Sequence, residues 1–297
     1  MKLEDIATCA QLACILEVSA PKPGNVNRLH DFADTKFEHF VASGVAIGGP
    51  VSRAADRGCR AGNGDINPGD IRIGELIKEA VIGASQWHRG KNTNLGISML
   101  LIPLGACAGM ALAKGNDLQE NIDPLIKATT YQDSLNLYEA IRHANPGGLG
   151  SSEHLDVNDL ESDRKIEEEG TNIYQIMDAT IGDSIARELV TSYEISFDVG
   201  YPAIMEGCSD GNIDTAAVVH AFLTILSKIP DTLIARKNGM DVAQSVSENA
   251  RAVLDGSMNV AEFDSMLRSK DNRLNPGTTA DLVASSLMIA LLRGVRP

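Results

Sequence analysis

Four short polar clusters carry the residue types that could handle a phosphorylated ligand. In Pro21-Lys22-Pro23-Gly24-Asn25 two prolines stiffen the backbone around one lysine. A phosphate contact by Lys22 would then cost little ordering entropy, and Gly24 would admit close approach of a ligand. A helix stop with a solvent-facing lysine explains the same residues. Asn92-Thr93-Asn94 stands directly before an uncharged run, where amides and a hydroxyl can cap a helix and its positive end suits an anion. Asp231-Thr232, with Arg236 and Asn238, follows Pro230 on a polar stretch between apolar segments; a surface salt bridge is the plainer reading. Asn275-Pro276-Gly277-Thr278-Thr279-Ala280-Asp281 leads into an apolar helix. Thr278 and Asp281 have capping-box spacing with Asp in place of Glu, and the backbone N–H groups from Asn275 through Gly277 and Thr278 could equally hold a phosphate. The chain has no phosphate loop of the Gly-x-x-x-x-Gly-Lys-Ser/Thr type, no Gly-x-Gly-x-x-Gly after a strand, no His-Glu-x-x-His and no Gly-x-Ser-x-Gly. Spacing alone therefore describes an anion-binding protein.

The elements that must position these clusters read as helices. The 297 residues hold 40 Asp and Glu against 26 Lys and Arg, a net charge of −14, which excludes a clamp for bare nucleic acid. Aromatic residues are only 4%, and an apolar content carried by Ala, Leu, Ile, Met and Gly favours helix over a β-sandwich or barrel. Five scattered cysteines without a Cys-x-x-Cys pair give neither a disulfide framework nor a zinc ribbon, and fit a reduced, cytoplasmic compartment. Acidic residues in the first ten positions argue against a signal peptide. Leu3 to Ser19 reads as an amphipathic helix with Ile6, Ala10, Ala13 and Glu17 on its interior face. Helical patterns follow over Thr35–Arg60, Ile71–Gln86, Tyr131–Ala144, Ile213–Leu226, Val242–Leu254, Val260–Leu267 and Ala280–Leu292. Leu95 to Ala113 lacks any charge; either a membrane span or a core helix has that composition, and the latter is expected here. The polar, acidic stretch from Ser151 to Gly170 reads as a solvated loop or helix face. Tyr193, Ile195, Phe197, Val199 and Tyr201 alternate with polar residues; with no partner strand this predicts an extended connector or a misread helix end. The expected fold is all-α, a single large helical domain over residues 1–297 with a buried central helix.

Taken in order, LEVSAPKPGNVNR, FVASG with Asp34 upstream, GKNTNLGISMLLIPLGA, IPDTLIARKNG and LNPGTTADLVA resemble the ATP:dephospho-CoA triphosphoribosyltransferase family. The resemblance spans residues 16 to 284 and implies an all-helical enzyme. Its reaction joins ATP to the ribose 2′-hydroxyl of 3′-dephospho-CoA and releases adenine. The resemblance implies ATP and a CoA-type acceptor as partners, no nucleic acid and no membrane, with a homo-oligomer allowed, and Mg²⁺ accompanying ATP. It places phosphate contacts at Lys22, Gly24, Asn92, Thr93, Asn94, Arg236, Asn275, Gly277 and Thr278. Asp34, Asp231 and Asp281 become the candidates for general-base work, and Asp34, Asp281 and Glu17 those for metal coordination. Where citrate-lyase-type members typically read Asn-Thr-His-Lys-Gly, this chain has Asn92-Thr93-Asn94-Leu95-Gly96. Two alternatives stay open at this point: the same chemistry at C1′ with another acceptor or water, and a helical nucleotide- or CoA-binding protein without turnover.

Overall fold

The computed structural model describes residues 1–147, 155–268 and 271–297, and among these it holds helices and isolated bridges but no β-strand. The fold is all-α. In chain order the helices are α1 (Asp5–Ser19), α2 (Phe37–Ala46), α3 (Gly48–Gly62), α4 (Ile73–Ser85), α5 (Leu95–Lys114), α6 (Ile122–Lys127), α7 (Tyr131–Ala144) and α8 (Leu160–Glu169). They continue with α9 (Ile173–Ala179), α10 (Ser184–Val190), α11 (Tyr201–Gly207), α12 (Thr215–Lys228), α13 (Thr232–Asn238), α14 (Met240–Leu254), α15 (Val260–Leu267) and α16 (Gly277–Leu292). Two compact units are formed, one from Met1–Gln11 with Ala42–Tyr193, the other from Leu12–Val41 with Glu194–Pro297.

The first unit is organised by α5. This helix is apolar on all sides, and 83% of its most apolar window is buried inside the protein, as a core helix requires. It lies against α3 at glycines on both helices. A Cβ on Gly58 would stand 2.0 Å from the Ala106 carbonyl oxygen, and one on Gly109 would stand 2.1 Å from that of Ala55. Only hydrogen fits at either position, so the two backbones touch. Helix α4 packs on both α5 and α7. Asp133 fixes the start of two helices at once, accepting the Gly74 N–H of α4 (2.9 Å) and the Thr130 N–H of α7 (2.9 Å). A buried carboxylate thus satisfies helix-terminal donors that have no partner within the helix.

The second unit is built around α16, whose residues from Thr278 to Leu291 are buried apart from Asp281. The Ser196 and Ser285 hydroxyls pair in this core. The alternating segment from Tyr193 is not extended: Ser196–Gly200 is a single π-helical turn that runs into α11. The period of two was a coincidence of a short helical stretch, in which Phe197 and Tyr201 both lie under the Arg293 guanidinium (5.2 and 4.7 Å to the ring centres). Ser196, polar in the alternation, is itself fully buried. The described part of the acidic stretch, from residue 155 onward, includes α8; its first residues, 151–154, lie outside the described residues.

Candidate functional site

The Pro21–Asn25 loop of the second unit is closed on itself. Lys22 is completely buried, its ammonium 3.0 Å from a Glu17 carboxylate oxygen, and it also donates to the Glu17 and Ala20 carbonyls. An ammonium has three N–H donors, and all three are answered by the protein's own chain. Burial pushes the Lys22 ammonium down from the usual lysine range and the Glu17 carboxyl up from the usual carboxylate range, each opposed by its partner. Gly24 adopts φ +71°, and a Cβ there would meet Leu267 of α15 at 2.5 Å. Its N–H donates to Asp264 at 2.8 Å. The expectation of a solvent-facing lysine is therefore corrected: Lys22 is fully buried, and Leu267 stands close against Gly24.

Asp231, also of the second unit, ties two helix starts together. One carboxylate oxygen accepts the Ile234 N–H (3.0 Å) and caps α13; the other accepts the Thr279 N–H (2.7 Å) and hydroxyl (2.8 Å) in the first turn of α16. Asp231 is 2% exposed, so its place at the surface is corrected; the charge of the exposed Arg236 still favours its carboxylate form. Burial raises the Asp231 carboxyl above its ordinary range against the pull of these hydrogen bonds. The capping box expected from Thr278 and Asp281 does not form, because α16 begins two residues earlier with Pro276 at its N-cap. Thr278 instead receives a hydrogen bond from the Thr232 hydroxyl at 3.3 Å. Asp281 is half-buried in α16, Asp34 is exposed in the loop before α2, and the Asn275 side-chain oxygen is buried without a hydrogen-bond partner. Gly277 packs under Leu233. Among the described residues no three His, Cys, Asp or Glu side chains gather where they could hold a metal ion. Asp34, Asp281 and Glu17 therefore do not form a metal cage, and Glu17 is committed to Lys22.

The first unit holds an open cavity of about 380 Å³ at the start of α5. Asn92, Thr93 and Asn94 line it together with His88, Lys91 and His143. Asn92 accepts the N–H groups of Asn94 (3.3 Å) and Leu95 (3.0 Å). It thus fills the capping role that the N-cap residue Asn94 leaves to it. The Asn94 amide donates to Ala80 O and Ser98 Oγ, both at 3.3 Å, and locks the turn to α4 and α5. Thr93 and Ser43 hydroxyls stand 2.6 Å apart, and His88 reaches both. The residue types are those of an anion site: amides, a hydroxyl, a lysine and imidazoles at the positive end of a 20-residue helix, with no acidic residue in its first turn. Sequence reading found the three residues nearest α5. It missed Ser43, His88, Lys91 and His143, although FVASG and GKNTN were both noted as motif segments.

Comparison with known proteins adds an independent finding. Residues 3–296 match the family described as ATP:dephospho-CoA triphosphoribosyl transferase. Among solved structures, a chain from Archaeoglobus fulgidus assigned as a triphosphoribosyl-dephospho-CoA synthase is similar at TM-score 0.57 and 27% identity. The match covers 83% of this chain and 99% of that one. Comparison with curated proteins gives no match.

Proposed function

The chain belongs to the ATP:dephospho-CoA triphosphoribosyl transferase family, and from that premise we propose that the cavity at the start of α5 holds the triphosphate of ATP. The observation that carries this reading is the donor-rich lining of that cavity at a helix N-terminus where, among the described residues, no carboxylate lines it. The enzyme is a transferase that moves the triphosphoribosyl group of ATP to dephospho-CoA. In the reaction the acceptor's ribose 2′-hydroxyl attacks C1′ of ATP, the bond from C1′ to the adenine nitrogen breaks, and the triphosphate stays intact. Positive charge develops on the ribose and negative charge on the departing base, so a fixed environment for the phosphates and a proton acceptor for the hydroxyl are what the protein must supply.

Of the three acidic candidates for the proton, Asp231 is spent on two helix starts and acts as a positioning residue. Asp281, half-buried in the core helix α16, and Asp34 remain the base candidates on the strength of the family resemblance alone. Mg²⁺ belongs to the proposal as the ion that neutralises the triphosphate, commonly held by one or two carboxylates plus phosphate oxygens rather than by an all-protein cage. A cytoplasmic location follows from the two substrates under the same reading.

The test is adenine release followed by chromatography, with ATP, Mg²⁺ and 3′-dephospho-CoA, with and without the acceptor. Acceptor-dependent adenine and a product heavier by a triphosphoribosyl unit are expected; adenine independent of acceptor, or none, defeats the reading. Asp281→Asn should lower kcat by about a hundredfold with an unchanged melting temperature. A fully active variant would remove Asp281 from the base role.

A further inference from the structure

The hydrogen-bond directions around Thr93 can be followed atom by atom. The Gly90 N–H donates to His88 Nδ1 at 3.1 Å. That nitrogen is then an acceptor, so the neutral ring carries its hydrogen on Nε2. His88 Nε2 lies 2.9 Å from Ser43 Oγ and 3.2 Å from Thr93 Oγ1. The shorter contact gives the Nε2–H to Ser43. Ser43 then donates its own hydrogen to Thr93 across 2.6 Å. Thr93 Oγ1 has become an acceptor within the protein, and its hydrogen is left to point elsewhere. Thr93 lines the cavity and Ser43 does not.

We propose that Gly90, His88 and Ser43 form a directed chain that fixes the Thr93 hydroxyl as a hydrogen-bond donor into the cavity, selecting a phosphoryl oxygen of the bound nucleotide. This deepens the reading of the cavity as the triphosphate site and rests on it. The neighbouring Asn92 works in the same sense. Its side-chain oxygen is taken by the Asn94 and Leu95 N–H groups, which leaves its Nδ2 hydrogens as donors. A ligand that only accepts hydrogen bonds satisfies both residues. One that must donate finds one lone pair of the Thr93 oxygen taken by Ser43 and His88 Nε2 beside the oxygen at 3.2 Å. His88 and Ser43 are positioning residues in this scheme, and Thr93 is the residue that touches the ligand.

The test is calorimetric titration of the full chain with inorganic tripolyphosphate, run beside the adenine-release assay. Thr93→Val, which keeps the shape and removes the hydroxyl, should weaken tripolyphosphate binding about tenfold. Thr93→Ser restores the donor and should return affinity to within about twofold of the wild type. His88→Phe should weaken binding about threefold, and His88→Gln, which keeps an N–H in reach of Ser43, should recover it. Wild-type affinity in Thr93→Val, failure of Thr93→Ser to rescue at unchanged melting temperature, or no tripolyphosphate binding by the wild type each overturns the inference. The two readings separate cleanly. Tripolyphosphate binding that depends on Thr93 without acceptor-dependent adenine sustains this inference and defeats the transferase reading. Adenine release with binding indifferent to Thr93 does the reverse.

Discussion

Helices α5 and α16 begin in similar ways and answer their N-termini differently. Each is preceded by a polar turn with Asn and Gly or Thr, each is apolar, and neither is capped by the side chain of its N-cap residue, Asn94 or Pro276. At α16 the fold supplies the anion itself: Asp231, from the residue before α13, accepts the N–H and hydroxyl of Thr279. At α5 the acceptor is the neutral Asn92 amide, and a cavity opens beside it. A helix start presents partial positive charge that favours an anion nearby. At α16 that anion comes from within the chain; at α5, under the proposed function, it is the triphosphate. The two lysines also sit in different surroundings. Lys22 is locked to Glu17 inside the second unit, whereas Lys91 lines the open cavity of the first. The Lys22 and Asp231 motifs of the second unit therefore build structure, and the turn at Thr93 is the one to which the proposed function gives a ligand.

The comparison makes its largest claim for Lys22. Lys22→Met leaves Glu17 buried without its counter-ion and should cost about 3–5 kcal/mol of unfolding free energy, measured by urea denaturation. Adding Glu17→Leu replaces the pair by apolar side chains of similar volume and should recover most of that loss. If Lys22→Met folds with wild-type stability and only substrate binding suffers, Lys22 belongs with the binding residues and the contrast between the units collapses.

Asp231→Ala comes next, with a loss of about 3 kcal/mol expected from three donors left unsatisfied. The pH dependence has a definite sign. Burial holds the folded-state carboxyl above the ordinary Asp value of 3.8, so the folded protein binds this proton more tightly than the unfolded chain. Stability from this group is fullest below 3.8 and declines as pH rises through the folded value. Asp231→Asn lacks this titration, so the stability gap between wild type and variant should narrow as pH is raised from about 4 toward 7. A gap that widens over that range would mean that the three hydrogen bonds outweigh desolvation.

These two residues also show what a sequence can and cannot disclose. The uncharged run of α5 and the interior position of Glu17 were legible because each depends on local composition and helical spacing. The ion pair of Lys22 was not, since an isolated lysine between prolines gives no sign of burial. The capping of α16 comes from Asp231, 48 residues from Thr279, so a local Thr-x-x-Asp spacing suggested the wrong partner. Ser43 lies 50 residues from Thr93 and 45 from His88. A serine among small helical residues has no signature of its own until the fold brings α2 beside that turn.

The finest test makes α5 resemble α16. Asn92→Asp keeps the oxygen that accepts the Asn94 and Leu95 N–H groups, and gives it the charge that Asp231 supplies elsewhere. Helix capping and the dipole should then stabilise the fold by about 0.3–1 kcal/mol, read as a small rise in melting temperature. The same charge removes the two Nδ2 donors and repels phosphate, so tripolyphosphate and ATP should bind more weakly. Opposite signs for stability and binding are what a helix start reserved for an external anion demands. A variant that gains stability and binds tripolyphosphate as well as the wild type would show that the α5 terminus does not meet the phosphates. One that loses both would show that the Asn92 amide hydrogens, rather than the unanswered dipole, hold the turn together.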